Sequence, residues 1–270
     1  MDGAKDFLES NSIIAKFAFL ILVVIVFVIL LRMGTAVLAW IFSPSPNPYL
    51  IKGMIDGTQK KVISQDPQDQ DSIPILRSEN ERGGLEFTWS IWLFVKNLSG
   101  DRLHHVFHKG TGNVSGENGI FSISAPGLYL GPSSTDNSLL IVMNTFDDVN
   151  ENIVVPDFPM NKWMNIVIRV NRQLVLDVYM NGRLARRHQL TSVPMQNYDD
   201  VYMGLNGGFE GYSSCLRYFN SAIGTKQIQD IVSSGPCTNL LSEDMGGASS
   251  MPRYLSLRWF FTGQKDMYNP

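Results

Sequence analysis

From Ile13 to Leu31 the chain reads IIAKFAFLILVVIVFVILL, apolar at every position except Lys16. A helix with no polar stripe is not one laid along a soluble core. As an α-helix the run spans about 28 Å at 1.5 Å per residue, close to the roughly 30 Å thickness of a bilayer's hydrocarbon core. Lys16 lies near one end, where its ammonium can reach the headgroups. A cleaved signal peptide is the competing reading; it expects a shorter apolar core and a small-x-small cleavage site. Here Arg32 follows the run, and Thr35-Ala36-Val37 and Val37-Leu38-Ala39 are poor cleavage sites. The expectation is an uncleaved, single-pass anchor. Met33 to Phe42 is apolar again and carries Trp40, a residue suited to the membrane interface. Residues 13–42 are therefore read as anchor plus interfacial segment, behind a polar tail at 1–12. Prolines at 44, 46 and 48 end any helix.

Further on the pattern changes from continuous to alternating. Trp163 to Leu184 reads WMNIVIRVNRQLVLDVYMNGRL. Met164, Ile166, Ile168 and Val170 share one face, and Leu174, Leu176, Val178 and Met180 share one face of the next run. That is the period of half-buried antiparallel strands. Asn181-Gly182 is the preferred dipeptide of a two-residue type I′ hairpin, because both residues tolerate positive φ. A three-stranded meander is predicted over 164–170, 174–180 and 183–189. Phe87 to Val95 alternates with aromatic residues on both faces, as an inner strand of a sandwich does. Leu103 to Lys109 predicts another strand, with shorter ones at 119–124, 127–130 and 138–144. Tyr254 to Phe261 predicts a last strand. Residues 43–84 read as a Pro-rich linker with Ile73 to Leu76 as an edge strand. The folded domain is expected over 85–235 and a tail over 236–270.

Three of these stretches resemble one family. A Trp that opens a strand, followed by the hairpin V-Y-M-N-G-R-L, resembles the centre of laminin-G-like domains of the concanavalin A-like lectin and glucanase superfamily. Gly207 to Ile231, GGFEGYSSCLRYFNSAIGTKQIQDI, resembles that family's closing strand and helix, and FTWSIWLFV its early strand. The resemblance covers roughly 85–235. It implies an all-β, two-sheet antiparallel jelly-roll sandwich beside the N-terminal transmembrane helix. The layout of anchor, P-N-P-Y-L-I-K-G-M stretch, sandwich and Y-L-S-L-R-W-F-F also resembles membrane proteins of large DNA viruses. The family resemblance further implies a disulfide between Cys215 and Cys237, the only cysteines; two free buried thiols are the alternative.

Composition narrows the chemistry. A net charge of −3 on 270 residues gives no reason to propose nucleic acid as a partner. The superfamily's glucanases carry closely spaced acids on one strand, so that nucleophile and proton donor face the same sugar. No such run occurs here, and Asp177 is alone on its strand, so the chain is read as non-catalytic and the hydrolase alternative is disfavoured. His104, His105 and His108 invite a metal reading, but strict alternation puts His104 and His108 on one face and His105 on the other. Zinc wants about four ligands. Asp147 to Asn152 offers five oxygen-bearing side chains in six residues, a composition that suits calcium and equally a solvated loop, so no cofactor is expected beyond calcium as an alternative. Asp147, Asp148 and Asn150 are taken as ligand candidates, together with Tyr198 and Tyr202, whose rings can stack on sugars. Phe209 and Tyr212 are weighed on the same ground. Sequons at Asn97 and Asn113 are permissive only. The expected partners are a membrane and a glycan or protein, or, in the viral reading, other shell proteins of a virion. The expected location is a cell surface, a lumen or a virion membrane. The basic residues flanking the anchor are too balanced to orient it.

Overall fold

The computed structural model describes residues 13–69, 71–78, 85–112, 119–132 and 136–240. The chain divides into two units, with the boundary between Ser43 and Pro44. The first holds helix α1, Ile13–Phe42. Its span Ile13–Ile41 contains an 18-residue window of mean hydropathy 3.3 and is long and apolar enough to cross a membrane.

The second unit is built of strands: β1 (Met54–Asp56), β2 (Lys61–Ile63), β3 (Phe87–Asn97), β4 (His104–Lys109), β5 (Gly127–Leu130), β6 (Leu139–Met143), β7 (Glu151–Val155), β8 (Trp163–Val170), β9 (Val175–Met180), β10 (Arg183–Gln189), β11 (Val201–Met203) and β12 (Glu210–Phe219), followed by helix α2, Thr225–Ser234. They form two six-stranded sheets, in the orders β1-β12-β3-β8-β9-β10 and β2-β11-β4-β5-β6-β7. Every pairing is antiparallel. The expected all-β, two-sheet sandwich is therefore present.

The core lies between the sheets. Trp89, Ile91, Leu93 and Val95 of β3 meet Phe107, Leu128, Leu130 and Ile141 of the opposite sheet. Met164, Ile166, Ile168 and Val170 join them, as do Leu176 and Val178, so the alternation read from the meander holds residue by residue. The opposite face of the same strands presents Val167 and Tyr179, which α2 covers with Ile228. Asn181 and Gly182 both have positive φ, as a type I′ turn requires.

Three expectations about the elements are corrected. The stretch from 43 to 84 is not simply a linker. Leu50 and Ile51 donate backbone bonds to Leu216, β1 pairs with β12 and β2 with β11, and Leu50, Ile51, Ile55 and Ile63 are buried in the core. Strands of three residues are too short to show a period, which is why the pattern hid them. Ile73 to Leu76 forms no strand, yet Ile73 and Ile75 pack on the core. The segment 119–124 also forms no strand. The predicted strand at 254–261 lies outside the described residues.

Candidate functional site

A cleft of about 940 Å³ opens beside β4 and β11. Four loop segments line it: Gln65 to Pro67, Pro74 to Arg77, Lys109 to Gly112 and Gln196 to Asp200. Its base is apolar, with Trp89 stacked on Phe107 at 5.2 Å and edge-on to Tyr218 at 5.2 Å. The Tyr218 hydroxyl donates to the Leu76 carbonyl at 3.0 Å, and burial pushes its phenol pKa up.

The loops are braced by side chains. Gln65 donates its amide to the Ile73 carbonyl (3.0 Å) and accepts the Ile75 N–H (2.9 Å), while its own N–H goes to Asp200 Oδ1 at 2.9 Å. Lys109 donates to the Asp199 carbonyl at 2.6 Å, and Asn197 returns a bond to the Lys109 carbonyl at 3.1 Å. Burial lowers the Lys109 amine to about 8, against the opposing pull of Asp199 and Asp200. Next to it, a Cβ on Gly110 would sit 1.8 Å from the Ile123 carbonyl oxygen. Only glycine permits that approach of two backbones.

Two of the sequence-derived candidates line this cleft. Tyr198 is 77% exposed, with the Arg77 guanidinium 4.9 Å over its ring. Tyr202 is half-buried and stacks on His108 at 5.2 Å. Asp147, Asp148 and Asn150 are not among its lining residues. They sit on the turn between β6 and β7, where Asp148 serves the turn itself: its Oδ1 accepts the Asn150 N–H and its N–H donates to Thr145 Oγ1. Glu151 leaves the acidic loop altogether. It is buried at the start of β7, taking His188 Nε2 at 2.7 Å and the Thr191 hydroxyl at 2.8 Å. Among the described residues no three His, Cys, Asp or Glu side chains converge to hold a metal ion. Phe209 is buried in the core, and Tyr212 lies under the Lys96 ammonium at 4.7 Å. Asp177 is buried and held by Arg187 at 2.7 and 3.3 Å. Cys215 and Cys237 are joined by a disulfide with Cα atoms 5.7 Å apart.

The histidines are arranged differently from the expectation. The register of β4 against β5 shifts between His105 and Phe107, leaving Val106 as an extra residue. Val106 and Phe107 both face the core. The bulge therefore turns His105 and His108 to the same outer face, where His105 Nε2 and His108 Nδ1 lie 2.8 Å apart. His104 turns the other way and bonds the Gly208 carbonyl at 2.9 Å. The signal was present in the sequence: Val106-Phe107 is an adjacent apolar pair inside an alternating strand.

No family model matches the chain, and no curated protein does. Among solved structures, the chain is similar to the binding domain of botulinum neurotoxin serotype G (11% identity, TM-score 0.45, covering 72% of this chain and 49% of that one). It is also similar to the receptor-binding domain of botulinum neurotoxin D (11% identity, TM-score 0.44, 66% and 48%). A third match is the receptor-binding domain of the mosaic C/D serotype (11% identity, TM-score 0.44, 56% and 36%). The chain spans less than half the length of each of these structures.

Proposed function

We propose that this chain is a membrane-anchored, non-catalytic recognition module whose ligand site is the cleft beside β4 and β11, and that the ligand is a glycan. One observation carries the reading. An exposed tyrosine ring, Tyr198, stands at the cleft with a guanidinium over it, and Tyr202 lines the same cleft. A flat exposed ring beside a concave, partly polar surface suits the C–H face of a sugar. Two ionisable groups of the cleft brace its loops: Lys109 is spent on the Asp199 carbonyl and Asp200 on the Gln65 N–H. That use supports binding over turnover. The length and apolarity of α1 support the anchor.

The test uses the full chain reconstituted in lipid nanodiscs and applied to a glycan array. Co-migration of the chain with lipid and retention on at least one glycan are expected. Tyr198→Ala should weaken retention about tenfold, the loss of a stacked, cation-backed ring. Binding to no glycan, or binding indifferent to Tyr198, would remove the cleft as the site. Reducing-sugar release from a bound glycan would overturn the non-catalytic part.

A further inference from the structure

The two histidines under the cleft wall form a complete chain of donors and acceptors. At one end the Leu205 backbone N–H, which can only donate, points at His105 Nδ1 at 3.1 Å. At the other end the Thr111 carbonyl, which can only accept, lies 2.9 Å from His108 Nε2. These two ends fix everything between them. His105 must carry its proton on Nε2 and give it to His108 Nδ1, and His108 must carry its proton on Nε2. Both rings are neutral, and all four ring nitrogens are used.

A third proton has no place to go. On His105 Nδ1 it would face the Leu205 N–H; on His108 Nδ1 it would face the His105 N–H. Either way a buried hydrogen bond becomes a clash of two donors. The rings are packed against Phe121 and Tyr129, with Leu140, Val142 and Leu205 in the same apolar cluster. Among the described residues, the titratable groups that stack on the pair are Tyr129 from β5 and Tyr202 from β11. Lys109 follows on the same strand, the Asp199 and Asp200 carboxylates act on Tyr202, and His104 is on the opposite face. Burial, followed by the neighbouring His108, depresses His105 well below its usual range, and burial lowers His108 to about 4.

The relay touches the cleft at four points. Thr111 accepts its last proton, Leu205 donates to its first nitrogen, Gly112 packs on Tyr202, and Tyr202 stacks on His108; all four residues line the cleft.

The geometry points to an acid-released latch: the neutral His105–His108 pair ties the Thr111 loop and the turn at Leu205 together behind the cleft wall, and protonation of either ring unties them. The consequence for binding rests on the cleft being the ligand site; the latch itself does not.

The decisive experiment is hydrogen exchange by mass spectrometry on the full chain in nanodiscs, at about pH 7 and about pH 4.5, corrected for intrinsic exchange. Peptides covering 109–112 and 201–205 should exchange at least about tenfold faster in acid, because each pH unit below the ordinary histidine value shifts the open form about tenfold per ring. Peptides of β8 and β9 should change little. His108→Gln, which leaves only His105 to titrate, should shrink the acid step, and the double variant His105→Gln/His108→Gln should remove it. Unchanged exchange at 109–112 and 201–205 would overturn the latch. Should His108→Gln fail to fold, imidazole ¹⁵N spectra of the wild-type chain near about pH 6 decide. Two neutral rings, each protonated on Nε2, uphold the relay, and a charged ring or an Nδ1–H tautomer sinks it. The same preparations on the glycan array separate the two readings. An array silent at both pH values removes the ligand site and leaves the exchange result standing. Retention at neutral pH that is lost in acid, and kept by the double variant, supports both.

Discussion

The hairpin β8–β9 and the strand β4 belong to opposite sheets, and they obey different rules. In the hairpin, side chains alternate without a break from Met164 to Val170 and again from Leu176 to Met180, and every inward residue is apolar; the shift in the third strand of the meander, between Leu184 and Arg186 of β10, lies on an exposed edge. In β4 a single extra residue, Val106, reverses the alternation halfway. The meander's outward face is covered by α2 through Val167, Tyr179 and Ile228. The outward face of β4 instead carries two imidazoles and a stack of rings that ends at the cleft. A regular strand builds a floor. An interrupted one re-aims side chains, and here it brings together groups that period-two reasoning separates.

The sharpest way to break this comparison is to delete Val106. Without it the pairs His105–Tyr129 and Phe107–Leu128 become consecutive, so β4 can run regularly with no slip and both outer histidines keep their face. What is lost is the Val106 side chain from the core and its carbonyl, which accepts the Gly204 N–H at 3.2 Å. The expected cost is about 4 kcal/mol, for a core vacancy plus a buried backbone bond. Urea unfolding followed by tryptophan fluorescence measures it. A loss under about 1 kcal/mol would mean that the bulge is incidental to the fold.

A smaller effect separates the two regions by pH. His108 is held at about 4 against its ordinary 6.5, so the folded state favours the neutral ring and the unfolded state binds the proton more readily. Its contribution is complete above about pH 6.5 and is lost as pH falls toward about 4, on the order of 3 kcal/mol. The corner where β10 meets β7 behaves differently. Burial there would raise Glu151, but bonds from His188 and Thr191 win and its pKa is lowered below 4.5. That stability is kept above 4.5 and lost only on further acidification. Unfolding midpoints taken between about pH 7 and about pH 4.5 should therefore fall mainly through the histidine relay, and His108→Gln should flatten the slope. An unaltered slope in that variant would place the acid sensitivity elsewhere.

What could be read in advance follows the same division. Long strands with strict alternation, the Asn181-Gly182 turn and the α2 segment were legible because each carries a local signal that tertiary packing reinforces. The three-residue strands β1 and β2 were not, because their place in the sheets is set by backbone pairing with β12 and β11 and not by their own pattern. The site was half legible. Tyr198 and Tyr202 were picked for their rings, and both line the cleft. Asp147, Asp148 and Asn150 were picked for their oxygen atoms, and oxygen-rich loops bond to themselves as readily as to a ligand. Asp148 does so with Asn150 and Thr145. Gln65 and Lys109, which brace the cleft, were missed because their partners lie 135 and 90 residues away in the chain.

The smallest expected effect tests the regular region at its hairpin turn. Gly182 has φ +76, and a Cβ there would lie 2.5 Å from Gln229 Nε2 and 3.0 Å from its Cδ. Gln229 is a flexible side chain whose amide donates to the Gly182 carbonyl at 3.2 Å, so it can swing away at the loss of one exposed hydrogen bond. The steric clash is therefore the lesser part. The larger part is the left-handed backbone, which costs a residue with a Cβ about 1–2 kcal/mol and is least tolerant of branching at Cβ. Gly182→Val should lower the stability of the sandwich by about 2 kcal/mol, and Gly182→Asn by clearly less, since asparagine accepts positive φ. Both variants should keep the acid step of the histidine relay, because β9 and β10 share no hydrogen bond with β4. Denaturation midpoints of the two variants, taken at neutral pH and again in acid, check both halves. If valine and asparagine were equivalent, the turn would not be enforcing its backbone conformation, and the loss would have to be assigned to the Gln229 contact.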